Sequence, residues 1–275
     1  MRFRIFRILL FVIAAGLALD AFWLEPSSLR LSRYDIALDA PALKGLRIAV
    51  IGDLHGGAPY IDTAKIDRVV AMTNQARPDL VLLAGDYVIQ EVIGGHHMAI
   101  EEIARHLRNL HAPLGVYAVI GNHDRDENAG HITAVLNAAG LTVLENAHVA
   151  IPSPQGVLYL AGIGDHRGGA SKPGLALQGI PGGAQALCFT HSPDAFPELP
   201  RRCALTIAAH THGGQVWLPL LGRPAVAHES LYGQRYAIGI IRESGRTLFV
   251  SPGIGTSGLP VRFFVPPEIS LLAIR

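Results

Sequence analysis

Cysteine is nearly absent from this chain: 275 residues contain two, Cys188 and Cys203. They have no CxxC spacing, which leaves no pattern for a thiolate metal site or a dithiol redox motif. Both fall in apolar, strand-like runs, where a free thiol behaves as a small hydrophobe. A single disulfide is the alternative if the domain lies in an oxidising compartment. Charge is also scarce, at 16% of residues with a formal net charge of +1, so no broad electrostatic footprint for nucleic acid exists. Internal repeats and low-complexity tracts are lacking. There is no second long apolar run, so at most one segment near the N-terminus can span a bilayer. What remains is 49% hydrophobic residues, enough for a sizeable core, and an ample 13 histidines.

The N-terminus sets Arg2, Arg4 and Arg7 before an apolar stretch from Ile8 to Leu24, broken only by Asp20. A basic start followed by an apolar run is a membrane-targeting signal. The stretch is short against the roughly 20 residues a bilayer core requires, and Trp23 suits an interfacial aromatic belt. With no clear A-x-A cleavage site and no twin-arginine pair, residues 1–24 read as an uncleaved signal anchor. A cleaved signal peptide and a buried N-terminal helix are the alternatives. The positive-inside rule keeps the arginines cytoplasmic, which puts the rest of the chain on the outer face of the inner membrane. Residues 25–44 read as a linker with Pro26 and Pro41, carrying at most one edge strand near Tyr34–Leu38.

From residue 45 to 275 no linker interrupts the pattern, and this stretch reads as one catalytic domain. Leu46–Ile51, Leu80–Ala84 and Gly115–Ile120 are apolar runs of the kind buried on both faces of a sheet. Between and after them, Ile61–Ala76, Ala99–Leu110 and His131–Ala139 have helical spacing. This β-α-β-α-β order predicts a parallel sheet with right-handed crossovers. Beyond Leu141 helices become scarce and strands follow at Thr142–Leu144, Val157–Ala161, Ala186–Thr190, Ala204–Ala208, Ala237–Ile241, Thr247–Val250 and Ile269–Ile274. A second, mixed sheet packed on the first gives an α/β four-layer α/β/β/α sandwich.

Five polar clusters sit where those strands end: Asp53 and His55, Asp86, Asn122-His123-Asp124, His191, and His210 with His212. Open α/β sheets collect ligands at the carboxyl ends of their strands. Carboxylate, amide and imidazole are the side chains that hold hard or borderline divalent cations. Each cluster alone is weak, since a DxH is common by chance and a lone strand-end histidine is usually a core residue. Their joint placement points to two adjacent metal ions.

The motifs DLH, GDY, GNHD, a single histidine and HTHGGQ, in this order, resemble the calcineurin-like metallophosphoesterase superfamily. The resemblance runs from about Leu46 to the C-terminus. Together with HTHGGQ, the tail from Ser251 to Arg262 (SPGIGTSGLPVR) looks like the membrane-associated bacterial branch of YkuE- and YaeI-type phosphodiesterases. The resemblance implies one metal held by Asp53, His55, Asp86 and His212, and a second by Asp86, Asn122, His191 and His210, with Asp86 shared. It makes His123 the general acid or electrostatic stabiliser at the leaving group, oriented by Asp124. The implied cofactors are two divalent ions, Mn²⁺ first, with Fe or Zn²⁺ as alternatives. The implied reaction is attack on phosphorus by hydroxide bridging them.

The expected substrate is a phosphorylated small molecule or a lipid-linked phosphodiester or pyrophosphate of the envelope. Membrane contact would come through the N-terminal segment. A UDP-2,3-diacylglucosamine pyrophosphatase of lipid A synthesis is a specific rival, a protein phosphatase a third, and a non-catalytic metal-binding scaffold the rival from another class. Among secondary candidates, Asp165-His166 reads as a turn within reach of substrate. Arg262 is either a phosphate contact or structural, and His96-His97 and His228 are minor pocket candidates. Trp217, Leu218, Leu220 and Leu221 read first as packing residues and second as a lipid-facing wall.

Overall fold

Alternation along the strands builds the core in layers. In the computed structural model, which describes residues 1–275 apart from the side chain of Ala227, the described residues form two six-stranded sheets. The first runs β1 (Arg30–Ile36), β12 (Glu268–Ile274), β2 (Arg47–Ile51), β3 (Leu80–Leu83), β4 (Val116–Ala118), β5 (Thr142–Val143). The second runs β10 (Gly239–Glu243), β11 (Arg246–Val250), β9 (Cys203–Ala208), β8 (Ala186–Phe189), β7 (Gly156–Gly162), β6 (Ala147–Ser153). On β2, Ile48 and Val50 face the second sheet and meet Leu82, Leu160, Leu205 and Ile207. Ala49 and Ile51 face the other way, into the helical layer with Ile66, Val69 and Ile103. This two-residue period is what a strand buried on both faces requires.

The helical layer consists of α2 (Thr63–Gln75), α3 (Ile100–Leu107) and α4 (Asn122–Ala138), after the N-terminal α1 (Arg2–Leu19). The Asp62 side chain accepts the Lys65 N–H at 2.8 Å and so caps α2, satisfying one of its orphan donors. Helix α3 buries Ile100, Ile103, Ala104 and Leu107, the face expected of its spacing. The outer face of the second sheet is covered thinly, by the short helix Pro173–Ala176 and the 3-10 turn Pro193–Glu198. Both sheets are mixed. Strands β2 to β5 are parallel with β12 antiparallel to β2, and β11, β9, β8 and β7 are parallel between two antiparallel edge strands. The fold class matches the four-layer expectation.

Several elements depart from the sequence reading. Helix α4 begins at Asn122 instead of His131, with a non-helical Asn128 inside it. Helical periodicity had exposed only the part beyond that kink. Strand β6 was not expected; it contains Pro152 and lies at the sheet edge, where proline is tolerated. The edge strand of the supposed linker runs Arg30–Ile36 and pairs parallel with β12 over its full length. The N-terminal helix continues past Leu19 through a π-helical turn to Ser27, 26 residues in all. At 1.5 Å per residue it reaches ~39 Å, so it is longer than the apolar run suggested. Finally, Cys188 and Cys203 are joined in a disulfide between β8 and β9 with both residues buried, which corrects the reading as free thiols. Adjacent strands carry them within bonding reach, a fact invisible in their separation of 15 residues.

Candidate metal centre

Five of the functional side chains leave their strands through a backbone twist. Asp53, His55, Asp86, His210 and His212 all have positive φ, between 47° and 70°. Non-glycine residues rarely adopt this left-handed region, and concentrated strain of this kind marks functional sites. The twist turns each side chain back over the strand tip, towards the seam between the sheets. Glycines make room for it. A Cβ on Gly121 would lie 2.1 Å from Asp86 Oδ1, and one on Gly253 would lie 2.5 Å from Asp53 Oδ2. Thus the backbones of the GNHD turn and of the SPGIG tail press directly on the two carboxylates.

All seven expected ligands converge. His55 Nε2 lies 3.1 Å from His212 Nε2, and His212 Nε2 lies 4.0 Å from Asp53 Oδ1. Asp86 Oδ2 lies 3.1 Å from His191 Nε2 and 3.8 Å from His55 Nε2, midway between the groups. His191 Nε2 is also 3.1 Å from Asn122 Oδ1 and 3.0 Å from His210 Nδ1. The donor atoms of Asp53, His55 and His212 lie within 4.8 Å of one another, as do those of Asp86, His191 and His210. Asp53, His55, Asp86, His191, His210 and His212 are all buried.

Backbone carbonyls orient three of the imidazoles. His55 Nδ1 faces Val88 O at 3.1 Å, His191 Nδ1 faces Ala84 O at 2.8 Å, and His210 Nε2 faces Glu229 O at 2.9 Å. A proton on each of those nitrogens leaves the other ring nitrogen aimed inward as a lone pair, the arrangement of ligating histidines. At His191 Nε2 three acceptors converge: Asp86 Oδ2, Asn122 Oδ1 and His210 Nδ1. One proton cannot serve all of them, whereas a cation can. The donor set therefore fits a divalent metal.

Burial and mutual charge set the protonation of these groups. Burial pushes the Asp53 carboxyl up to about 7. Burial likewise lowers His55 to about 4 and pushes His210 and His212 well below the usual imidazole range, keeping those rings neutral and free to ligate. Asp86 and His191 behave as a pair. Burial opposes charge on each, yet their attraction and hydrogen bond outweigh it, lowering Asp86 and raising His191, so that without metal a proton holds the place beside Asp86 that a cation would take from it.

His123 occupies the wall of the centre, with Nε2 3.9 Å from Asp86 Oδ2 and its ring edge-on to His55 at 5.0 Å. Its backbone N–H donates to Asp86 Oδ1 at 3.0 Å. Asp124 does not orient it. The Asp124 oxygens accept backbone N–H groups from Asp86 and Tyr87 at 2.8 Å, Gly121 at 3.0 Å and Val88 at 3.2 Å. Asp124 therefore clamps the β3 tip to the start of α4, a correction to the orienting role expected of it, and among the described residues His123 Nδ1 is buried without a partner.

A cleft of about 340 Å³ opens over the centre, lined by Asn122, His123, Asp126, Arg167, Gly168, Glu229 and Ser257. Arg167 was missed by sequence reasoning. Its Nη1 lies 3.3 Å from His210 Nε2 and donates to Glu229 Oε2 at 2.7 Å. The only sequence signal was its place beside Asp165-His166. Asp165 takes the turn role expected of it, accepting the Gly168 N–H at 2.7 Å. Arg262 is structural: it is fully buried and donates to the carbonyls of Pro252, Gly255 and Val265. His96 and His97 do not line this cleft.

Comparison with known proteins agrees with this geometry. A model of the calcineurin-like phosphoesterase family matches residues 46–214, and the chain belongs to that family. It is a metal-dependent phosphoester hydrolase. Among its relatives, phosphodiesterase YaeI of Escherichia coli (strain K12) is 30% identical over 254 residues, covering 91% of this chain and 90% of the relative. The uncharacterized metallophosphoesterase YkuE of Bacillus subtilis (strain 168) is 28% identical over 263 residues, covering 93% and 88%. A transmembrane protein with metallophosphoesterase domain from Danio rerio is 28% identical over 259 residues, covering 85% of this chain and 54% of that protein.

Proposed function

We propose that the enzyme cleaves a phosphodiester or pyrophosphate of an envelope or lipid-linked substrate with two divalent cations, Mn²⁺ the first choice and Fe or Zn²⁺ the alternatives. One cation would be held by Asp53, His55, Asp86 and His212, the other by Asp86, Asn122, His191 and His210. The carrying observation is the unsatisfiable convergence at His191 Nε2, with Asp86 lying between the two groups. When bound, such a pair supplies Lewis-acid activation of water and neutralises charge at phosphorus.

The chain's own groups do the rest. Asp86 would place negative charge between the two cations and Asp53 beside the first of them. His123, facing the cleft, donates a proton to the leaving alkoxide. Arg167, held by Glu229 at the mouth, meets the non-bridging oxygens of the bound phosphate, for which its forked donors are suited. The diesterase reading is favoured by the relative named as a phosphodiesterase, YaeI.

The 26-residue apolar helix, 6% buried over its most apolar window, supports a membrane anchor. The buried disulfide supports a catalytic domain on the outer face of the inner membrane, where disulfides persist. That placement disfavours a cytoplasmic lipid A pyrophosphatase. Metal analysis of the purified full chain, with hydrolysis of bis-p-nitrophenyl phosphate, tests the reading. Two equivalents of metal and metal-dependent turnover are expected, and metal-replete protein without turnover overturns it.

A further inference from the structure

Helix α1 is not tethered by a flexible linker. Its C-terminal extension is fastened to the catalytic domain at several points. The Tyr60 hydroxyl donates to Phe22 O at 2.6 Å and the Arg262 N–H donates to Ala21 O at 2.9 Å. The Glu25 carboxylate accepts the backbone N–H groups of Phe264, at 2.8 Å, and Val265. In contrast, no residue of Arg2–Leu19 is buried. Whatever surrounds α1 therefore meets the domain at a fixed place.

The surface at that place is apolar. Phe264, which receives the Glu25 contact, is 58% exposed and packs edge-on against Trp217 at 6.0 Å. Trp217 leads into a tight hairpin closed by reciprocal bonds between Leu218 and Gly222, whose tip carries Leu220 and Leu221. Leu220 is 106% exposed and Leu221 68%. Both Leu220 (φ 69°) and Phe264 (φ 57°) adopt left-handed backbone conformations. In water, holding bulky apolar side chains outward in a strained conformation is unfavourable twice over, and exposed apolar patches of this kind mark interaction surfaces. The same surface reaches the reaction centre. Leu259, also exposed, lies two residues from Ser257 of the cleft, and the Gln215 side chain donates to the carbonyl of Ser257.

We infer that this face is a bilayer-docking surface: Trp217, Leu220, Leu221, Leu259 and Phe264 sink into the headgroup–acyl boundary beside α1. Docking there brings the rim of the catalytic cleft, at Ser257, close to the lipid surface. Lipid is favoured over a second protein copy because the rigid attachment of α1 holds the patch at membrane level. Aromatic residues flanking an anchor are also the composition of an interfacial belt. The inference rests on the membrane-anchor reading of α1, and the experiment separates the two.

The chain has two tryptophans, so W23F leaves Trp217 as sole reporter and W217F leaves Trp23. Each full-length variant is reconstituted into phosphatidylcholine–phosphatidylglycerol vesicles with and without brominated acyl chains. Both reporters should be quenched severalfold by the brominated lipid, and L220D/L221D should abolish most quenching of Trp217 while leaving that of Trp23. Quenching of Trp23 without Trp217 overturns the docking surface and leaves the anchor standing. Quenching of neither overturns both. Trp217 shielded from brominated lipid and from aqueous acrylamide alike points to a second copy on this face and overturns the lipid assignment.

Discussion

The two sheets contribute to the centre in opposite chemical currencies. The first sheet supplies every carboxylate, Asp53 and Asp86, with one amide and one imidazole at the ends of β2, β3 and β4. The second supplies only imidazoles, His191, His210 and His212, after β8 and β9. Neither bank holds a complete set of the proposed ligands, so a cation bound as proposed would staple the sheets together and link metal affinity to folding. The support also differs. The first bank rests on long helices and a carboxylate clamp, Asp124, that takes four backbone N–H groups. The second rests on short 3-10 turns and a disulfide behind β8 and β9.

The sharpest way to break this division is at the residue shared by both proposed sites. Asp86→Ala should reduce turnover to background and lose both metals, as read by elemental analysis of the purified variant. His212→Ala should remove one equivalent and spare the other. If Asp86→Ala retained both ions, the shared role would fail. Next in size is His123→Ala. Its side chain lies against the centre without belonging to the seven-residue set, so kcat should fall about 10²–10⁴-fold with metal content unchanged. The loss should be smaller for a substrate with a p-nitrophenolate leaving group, which needs little protonation. Equal losses on activated and unactivated esters would remove the proton-donor assignment.

Different parts of this comparison were legible in the sequence to different degrees. The first bank follows apolar runs with clear periods, so β2, β3 and α3 fell close to their expected bounds, and the polar residue after each run marked the site. The second bank showed its ligands through HTH and a lone histidine, but not their supports. Strand β6, at the second sheet's edge and carrying Pro152, went unseen, and in the first bank the kink at Asn128 concealed the first turns of α4. The pairing of Cys188 with Cys203 depends on strand order, which spacing does not encode. The left-handed twist at five site residues depends on the far side of the seam. Arg167 carries no motif at all; only the fold brings it to His210.

Removing the disulfide probes the weaker scaffold. C188A/C203A should lower stability by about 3 kcal/mol, the scale for a loop of ~15 residues, measured by urea unfolding of the full chain in detergent under non-reducing conditions. Chelation acts on both banks together. Stripping the two metals, each supplied at ~100 times its Kd, should cost about 2.7 kcal/mol per site, roughly 5.4 kcal/mol in all. If the metal joins the sheets as proposed, the combined loss from chelation and disulfide removal should exceed the sum of the separate losses when the second bank loosens first. Simple additivity would mean that the banks unfold as one unit.

The smallest effect expected is at the mouth of the cleft. Arg167 lies beside His210 of the second bank but ligates nothing, and Glu229 neutralises it at rest. A phosphate entering the cleft must compete with that carboxylate for the same guanidinium. Arg167→Ala should therefore raise KM about tenfold, roughly 1.4 kcal/mol, and leave kcat and metal content near their starting values. Glu229→Gln frees the guanidinium and should lower KM, the opposite sign from a residue that merely props the loop. If both substitutions raise KM equally, the pair is a structural brace, and the substrate's charge is met by the metal centre alone.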